Sequence, residues 1–384
     1  MFVPLLVLRN AFRHKLRTTL TVVGIIVAIT AFGLLRTIVD AWYAGANASS
    51  AARLVTRSSV SLVFTLPLNY AQKIRQVPGV ESVGWANWFG GVYVTERNFF
   101  AQFAISPTYL DMYPEFVLTD AERKAFFADR VGALAGRKLA DKYGWKVGDQ
   151  IPLRGTIYPG TWTFTLRGIY EGAEAGTDTS TFFFHFDYLN EAIKRQFPRR
   201  ADQAGVFIEQ LRDPENAAAV SAAIDATFKN SLAETLTETE KAFQLGFVAM
   251  SEAILLAIQA VSYVVIVIIM AVMANTMAMT ARERYGEYAT FKALGFSNGF
   301  VAMLIFAESL GIALFGGLLG IALTFPMAEL FASTVGSILS GFRVSEQTIV
   351  MQLAAALVIG VVAAAVPAWN AARIRIVDGL RAIG

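Results

Sequence analysis

A short charged segment, ARERYGEYATFKALG at residues 281–295, lies between two long apolar runs and has the residue types of a binding surface. Helical spacing places Tyr285, Tyr288 and Ala289 on one face, and Gly295 can end the helix. A reverse turn between two apolar runs needs only a few residues. The segment therefore predicts a rigid helix that contacts another molecule, and the alternative is a solvated turn.

The two tyrosines are the predicted anchors of that contact, and the charged residues would set its specificity and rate. The predicted contact residues are Arg282, Glu283, Arg284, Tyr285, Glu287, Tyr288 and Lys292.

Motifs for catalysis are scarce. The chain has no G-x-x-x-x-G-K-[ST] loop, so we expect it to bind no ATP and no other cofactor by itself. It has no cysteine, and its two histidines, His14 and His185, are predicted to be a flank residue and a strand residue rather than metal ligands. A membrane enzyme, which would need converging acid, base or metal groups, is the least favoured function.

The elements around the charged segment are those of a membrane protein. Hydrophobic residues make up 55% of the 384 residues, charged residues make up 16%, and the mean hydropathy is +0.49. Four runs are long enough to cross a bilayer, which needs about 20 apolar residues as a helix. The runs are Thr18–Leu35, Ala253–Ala281, Ala293–Met327 and Gln347–Ala372.

Three residues inside the third run stand out. Glu308 is an ionisable group within an apolar run, so it should line a gate or form a hydrogen bond between helices. Gly316 and Gly320 form a G-x-x-x-G pattern, which predicts a helix-packing face and modestly favours a dimer.

At the end of the first run, Arg36 and Asp40 are spaced to pair with each other.

Lysine and arginine in the short segments indicate the orientation, since these residues mark cytoplasmic loops. They occur before the first run, between the second and third, and after the fourth, at Arg9, Arg13, Lys15, Arg17, Arg282, Arg284, Lys292, Arg373, Arg375 and Arg381. Both termini are therefore predicted to be cytoplasmic, and the long segment between the first two runs is predicted to lie outside.

That long segment predicts a mixed α/β domain, because β-branched and aromatic runs alternate with helical patterns. Predicted strands are 59–64, 79–88, 131–135, 162–170, 181–186 and 206–211. Predicted helices include 69–77, 136–144, 187–197 and a fourth that begins at Asp213 and Pro214.

The predicted organisation has nine parts. They are an amphipathic N-terminal helix at 1–17, a first transmembrane helix at 18–40, an α/β domain at 41–250, a second transmembrane helix at 251–281, the charged helix at 282–295, a third transmembrane helix at 296–328, an outer loop at 329–346, a fourth transmembrane helix at 347–372 and a tail at 373–384.

Four stretches resemble permeases of the MacB, LolC/LolE and FtsX type. They are LRNAFRHKLRTTLTVVGIIVAI at 8–29, AGRKLADKYGWKVGDQIPL with TLRGIY at 135–153 and 165–170, NTMAMTARERYGEYATFKALGFSNGFVAMLIFAESLGIALFGGLLGIAL at 275–323, and VPAWNAARIRIVDGLRAIG at 366–384. The sequence departs from the family at Tyr288, where a small aliphatic residue is common, and at Lys292 before Ala-Leu-Gly.

The resemblance implies a multi-pass protein of the bacterial inner membrane, with a large periplasmic domain. It implies a homodimer served by two copies of a separate cytoplasmic ABC ATPase, which docks on the charged helix, and a possible periplasmic adaptor. The family couples ATP hydrolysis to movement of the periplasmic domain, for export or extraction of a lipid, lipoprotein, peptide or amphipathic small molecule. The alternative is a non-transporting FtsX-like regulator of a cell-wall hydrolase or a sensor; no nucleic-acid partner is expected.

Overall fold

A computed structural model describes residues 15–174, 176–335 and 342–374. The chain divides into two compact units, each described by itself. Within the described residues, one unit contains 15–40, 252–334 and 342–374, and the other contains 41–251 and 335. The predicted N-terminal helix up to residue 14, including His14, part of the predicted outer loop (336–341) and the tail from residue 375 lie outside the described residues.

The first unit contains four helices that are long and apolar enough to cross a membrane, as predicted. They are α1 (Lys15–Ala48), α9 (Glu252–Glu283), α11 (Asn298–Val335) and α12 (Glu346–Ala372). A short helix, α10 (Tyr285–Ala293), lies between α9 and α11. At 38 residues α11 is about 57 Å long, nearly twice the thickness of a bilayer core, so its ends can extend beyond the hydrocarbon.

Glycines on α11 allow this helix to pack closely against its neighbours within the chain. A Cβ atom at Gly316 or Gly320 would lie 3.0 or 2.9 Å from the Cβ of Ile25 or Ile29 on α1. The face of the G-x-x-x-G pattern is thus occupied by α1 of the same chain. The pattern therefore no longer supports a dimer.

A polar cluster joins the ends of α1 and α12. The predicted Arg36–Asp40 pair is present, with Arg36 Nε 3.3 Å from Asp40 Oδ1. Asp40 Oδ2 also accepts hydrogen bonds from Ser345 Oγ at 2.7 Å and Thr348 Oγ1 at 2.9 Å. Ser345 in turn caps α12, because its side chain accepts from the backbone N–H of Thr348.

The second unit is a mixed α/β domain. Its strands are β1 Arg53–Ser58, β2 Leu66–Pro67, β3 Val80–Trp88, β4 Gly91–Val92, β5 Ala101–Ile105, β6 Phe116–Val117, β7 Gly132–Gly136, β8 Gln150–Gly155, β9 Gly160–Gly172, β10 Thr181–His185, β11 Gln203–Ala204, β12 Val206–Leu211 and β13 Thr235–Thr239. Its helices are α2 Tyr70–Arg75, α3 Tyr109–Met112, α4 Asp120–Ala128, α5 Arg137–Tyr143, α6 Phe186–Gln196, α7 Ala217–Thr227 and α8 Glu240–Met250.

One large sheet organises the domain, with strand order β13-β1-β12-β3-β5-β10-β7-β9-β8-β4 and β6 paired to β9. The pairs β5–β10 and β7–β9 are parallel, and the other pairs along this order are antiparallel. Aromatic side chains fill much of the core, including the fully buried Phe89, Phe164, Phe182 and Phe184. His185 is the last residue of β10, so it is a strand residue as predicted. Its ring stacks on Phe126, and its Nε2 lies 2.8 Å from the Phe126 carbonyl oxygen.

The structure agrees with five of the six predicted strands and corrects the first. The strand predicted at 59–64 instead occupies 53–58, where β1 pairs with β12 and β13. Residues 59–64 are turns and bends that expose Val60, Val63 and Phe64. β-Branched and aromatic residues favour strands, but a strand also needs a paired neighbour, and residues 59–64 have none in the sheet. Asp213 and Pro214 begin a short 3-10 turn that leads into α7.

Candidate functional site

The charged segment folds as a helical hairpin in which α10 is followed, after a tight turn, by α11. Gly295 has φ +92°, a conformation that favours glycine. The N–H of Phe296 donates to the Phe291 carbonyl, and the N–H of Gly295 donates to the Lys292 carbonyl, each at 3.0 Å. These two bonds form a Schellman motif, which ends α10 as the sequence predicted.

Helix α10 runs back along the start of α11. Arg284, which precedes α10, touches Glu308, ten residues after the start of α11 and about 15 Å along its axis. Helix α10 has nine residues and is about 13 Å long, so the two segments match in length. The tip of the hairpin is therefore residues 293–298.

A buried ion pair joins the base of the hairpin. Arg284 Nη1 donates to Glu308 Oε2 at 2.7 Å, and Arg284 Nε donates to Glu287 Oε2 at 2.9 Å. Arg284 is 6% exposed and Glu308 is 4% exposed. Burial alone would lower the pKa of Arg284, but Tyr288 and the two carboxylates raise its pKa above the usual value, so it stays charged. Of the two functions predicted for Glu308, the structure shows the contact between helices.

A lysine joins the other end of α10 to α12. Lys292 Nζ donates to the carbonyl oxygens of Ala372 at 2.7 Å and Ile374 at 2.9 Å. The last carbonyls of a helix lack partners within that helix, and a cation there also offsets the negative end of the helix dipole. Lys292 therefore caps α12, and partial burial lowers the pKa of its ammonium group.

A separate ion pair joins α1 to α9 near the hairpin. Arg17 Nη1 and Nη2 donate to the two carboxylate oxygens of Glu283 at 2.9 and 2.8 Å, in a bidentate pair. Both side chains are partly exposed, at 30% and 40%. Glu283, predicted as a partner contact, thus already binds a residue of its own chain.

The tyrosine face of α10 points into the helix bundle. Tyr288 is 1% exposed and packs in one cluster with Ile305 and Ala371, while Tyr285 packs against the same cluster. Burial raises the pKa of Tyr288 to about 12. Helical periodicity correctly grouped Tyr285, Tyr288 and Ala289, but their shared face packs inside the chain. Burial of Tyr288 and Arg284 does not fit direct contact with a partner.

The exposed surface lies at the hairpin tip. Leu294 is 72% exposed and Phe296 is 45% exposed, and both flank the helix-ending Gly295. The Phe296 ring stacks on Phe300, with centroids 4.6 Å apart, which holds it in place. Arg282 is also exposed. Leu294 and Phe296 are not among the contact residues predicted from the sequence, although large apolar side chains beside a turn glycine are a signal that the sequence contains.

Two family models match the chain. One, described as the MacB-like periplasmic core domain, matches residues 18–227, more than half of the chain. The other, described as the FtsX-like permease C-terminal region, matches residues 260–376 and includes the hairpin.

Two curated proteins are similar in sequence. An uncharacterised ABC transporter permease of Methanocaldococcus jannaschii is 26% identical over 329 residues, which cover 80% of this chain and 77% of that protein. The macrolide export ATP-binding/permease protein MacB of a Shewanella strain is 35% identical over 106 residues, 28% of this chain and 16% of that protein.

Solved structures are also similar. The periplasmic region of MacB from Actinobacillus actinomycetemcomitans aligns with 52% of this chain and 94% of its own length, at 8% identity and a TM-score of 0.37. The extracellular domain of YknZ, a noncanonical ABC-type transporter from Gram-positive bacteria, aligns with 49% of this chain and all of its own length, at 11% identity and a TM-score of 0.35.

Proposed function

This chain belongs to the family of MacB-like and FtsX-like ABC transporter permeases, and from that premise we propose that it couples a separate cytoplasmic ATPase to movement of its α/β domain. Membership of the family carries the proposal. The absence of a phosphate-binding loop from the sequence supports a division of labour in which the partner binds ATP.

The proposed orientation places the hairpin tip and both termini in the cytoplasm and the α/β domain in the periplasm, in the inner membrane of a bacterium. The lysines and arginines near the hairpin and the termini support it, because such residues are concentrated on the cytoplasmic side. The description of the matched family domain as periplasmic agrees with the same orientation.

The ATPase docks on the hairpin tip. In a helix-in-groove contact a few apolar anchors carry most of the binding energy, and Leu294 and Phe296 are the large exposed apolar residues here. Arg282 is exposed near the base of the hairpin, so it would affect the rate of association through its charge rather than through contact at the tip. The buried Tyr288 and Arg284 act inside the permease instead.

The complex contains two permease chains and two ATPase subunits, with a periplasmic adaptor as a possible further partner. Its substrate is a lipid, a lipoprotein, a peptide or an amphipathic small molecule, exported or extracted from the periplasmic side. The MacB relative, which is named for macrolide export, supports the last of these classes.

The chain has no cysteine, so a single introduced cysteine is a unique cross-linking site. We expect Leu294→Cys, treated with a short thiol-to-amine cross-linker in native membranes, to join the permease to a P-loop ATPase identified by mass spectrometry. Val60→Cys, on an exposed loop of the α/β domain, is the matched control and should capture no ATPase.

Removing the two apolar anchors, Leu294 and Phe296, provides a second test of ATPase docking. The variant Leu294→Ser/Phe296→Ser should insert normally, yet co-purify with at least ten-fold less ATPase, since hot-spot residues each contribute about 2 kcal/mol or more. Capture of the ATPase at Val60 rather than Leu294, or full association of the double variant, would overturn the proposed docking surface.

A further inference from the structure

The hairpin is joined to two membrane helices by directional polar contacts at opposite ends of α10. At its N-terminal end, Arg284 binds Glu308 of α11. At its C-terminal end, Lys292 binds the carbonyl of Ala372, the last residue of α12, and the carbonyl of Ile374, two residues beyond that helix. A short helix held at both ends cannot tilt without moving both neighbours or breaking these contacts.

The apolar packing between the two contacts is continuous. Tyr288, Val301, Ile305 and Ala371 are all at most 1% exposed and belong to one buried cluster. Apolar surfaces resist separation, but they are non-directional and permit sliding. The ion pair and the lysine cap add direction, because hydrogen bonds weaken steeply when donor and acceptor are misaligned.

We propose that Arg284, Glu308 and Lys292 are positioning residues that make α10, α11 and α12 move as one body when the ATPase moves the hairpin tip. The proposal rests on the proposed function, since it assigns the path by which that coupling enters the membrane helices. Helix α9 also packs against α12, and Met273 and Ala281 of α9 belong to the same buried cluster. Among the described residues this packing is apolar and so permits sliding, whereas the last residue of α9, Glu283, makes its directional contact with Arg17 of α1.

The test uses the full chain in complex with its ATPase, with spin labels on pairs of introduced cysteines. One pair, Thr290→Cys with Gln347→Cys, reports the distance between the exposed side of α10 and the start of α12. The second pair, Thr290→Cys with Leu256→Cys, reports the distance between α10 and the exposed start of α9. On trapping with MgATP and vanadate, we expect the α10–α12 distance to stay constant and the α10–α9 distance to change.

Two variants then break the contacts with minimal damage to the fold. Arg284→Met/Glu308→Leu replaces the ion pair with apolar side chains, and Lys292→Met removes the cap of α12. Each should keep ATPase association and the KM for ATP, yet make the α10–α12 distance broad or nucleotide-dependent and lower the kcat of the complex about ten-fold. Arg17→Gln, which breaks the partly exposed α1–α9 pair, is the matched control and should change neither.

The reversed pair Arg284→Glu/Glu308→Arg should restore part of the kcat, because it keeps a salt bridge at the same place. A wild-type complex in which the α10–α12 distance changes as much as the α10–α9 distance would overturn the proposal, as would variants that keep the wild-type kcat and distances. Failure of the wild-type chain to bind any ATPase would instead contradict the proposed function.

Discussion

Two buried arginines, Arg53 in the α/β domain and Arg284 at the hairpin, hold the protein together in different ways. Arg53 Nε donates to Glu240 at 2.8 Å, its Nη2 donates to Glu115 at 2.5 Å, and its Nη1 donates to the Met112 carbonyl at 2.9 Å. It thereby connects the first strand, which follows α1, to α8, which leads to α9.

Arg53 and Arg284 both form buried ion pairs, but the secondary structure around them differs. Arg53 begins β1, a strand that also pairs along its length with β12 and β13, so the sheet repeats the connection that the side chain makes. Arg284 lies between helices, which share no backbone hydrogen bonds with one another. A buried ion pair on a sheet thus adds to a connection that the backbone hydrogen bonds already make. The same pair between helices fixes the relative position of two helices that are otherwise joined by non-directional apolar packing.

The largest expected effect is on stability when either arginine alone is replaced by methionine. Each change leaves a buried carboxylate without its cation, Glu240 in one case and Glu308 in the other, which costs about 3–5 kcal/mol. Thermal unfolding of the full chain in detergent should therefore show a marked loss of stability for both. A wild-type melting temperature for either single variant would show that its carboxylate finds another partner or water.

Apolar replacement of both partners should separate the two sites. Arg53→Met/Glu240→Leu and Arg284→Met/Glu308→Leu should each recover most of the lost stability, since a buried ion pair can often be replaced by packed apolar residues. The double variant Arg53→Met/Glu240→Leu should also keep coupled ATP turnover, because the backbone hydrogen bonds of the sheet remain. The double variant Arg284→Met/Glu308→Leu should lose coupled ATP turnover. Equal loss of turnover in both double variants would remove the distinction between sheet and hairpin.

A buried carboxyl group, that of Glu209 on β12, gives a pH-dependent effect. Burial, reinforced by Asp225, raises the pKa of this carboxyl to about 8. Between about pH 4.5 and 8 the folded chain keeps the proton and the unfolded chain does not, so this group makes stability fall as pH rises, by at most about 1.4 kcal/mol per unit. Above about pH 8 its contribution is constant.

Glu209→Gln should remove that slope, because glutamine does not titrate. Thermal unfolding of the full chain at intervals from pH 5 to pH 8 should show a smaller decline for the variant than for the wild type. An identical decline in both would mean that Glu209 is already ionised in the folded domain.

The sequence predicted the elements better than it predicted their contacts. Long apolar runs identify spans because an isolated helix must match the bilayer by itself. The helical period likewise grouped Tyr285 with Tyr288, but a period cannot tell whether a face meets its own chain or another protein. The Arg284–Glu308 contact joins residues 24 positions apart through a hairpin whose direction depends on the turn at Gly295, and no local pattern encodes it.

The smallest expected effect concerns the partly exposed pair between Arg17 and Glu283. Water reaches both side chains, so the pair resembles surface salt bridges, which contribute about 0–1 kcal/mol. Arg17→Gln should therefore lower the free energy of unfolding by less than about 1 kcal/mol, and the difference from wild type should shrink at 1 M salt, where the Debye length is about 3 Å. Thermal unfolding of both proteins at low and high salt measures this. A loss of unfolding free energy as large as that of Arg284→Met, and insensitive to salt, would mean that the α1–α9 pair is as shielded from water as the pair inside the hairpin. Arg17 would then belong with the residues that position the membrane helices.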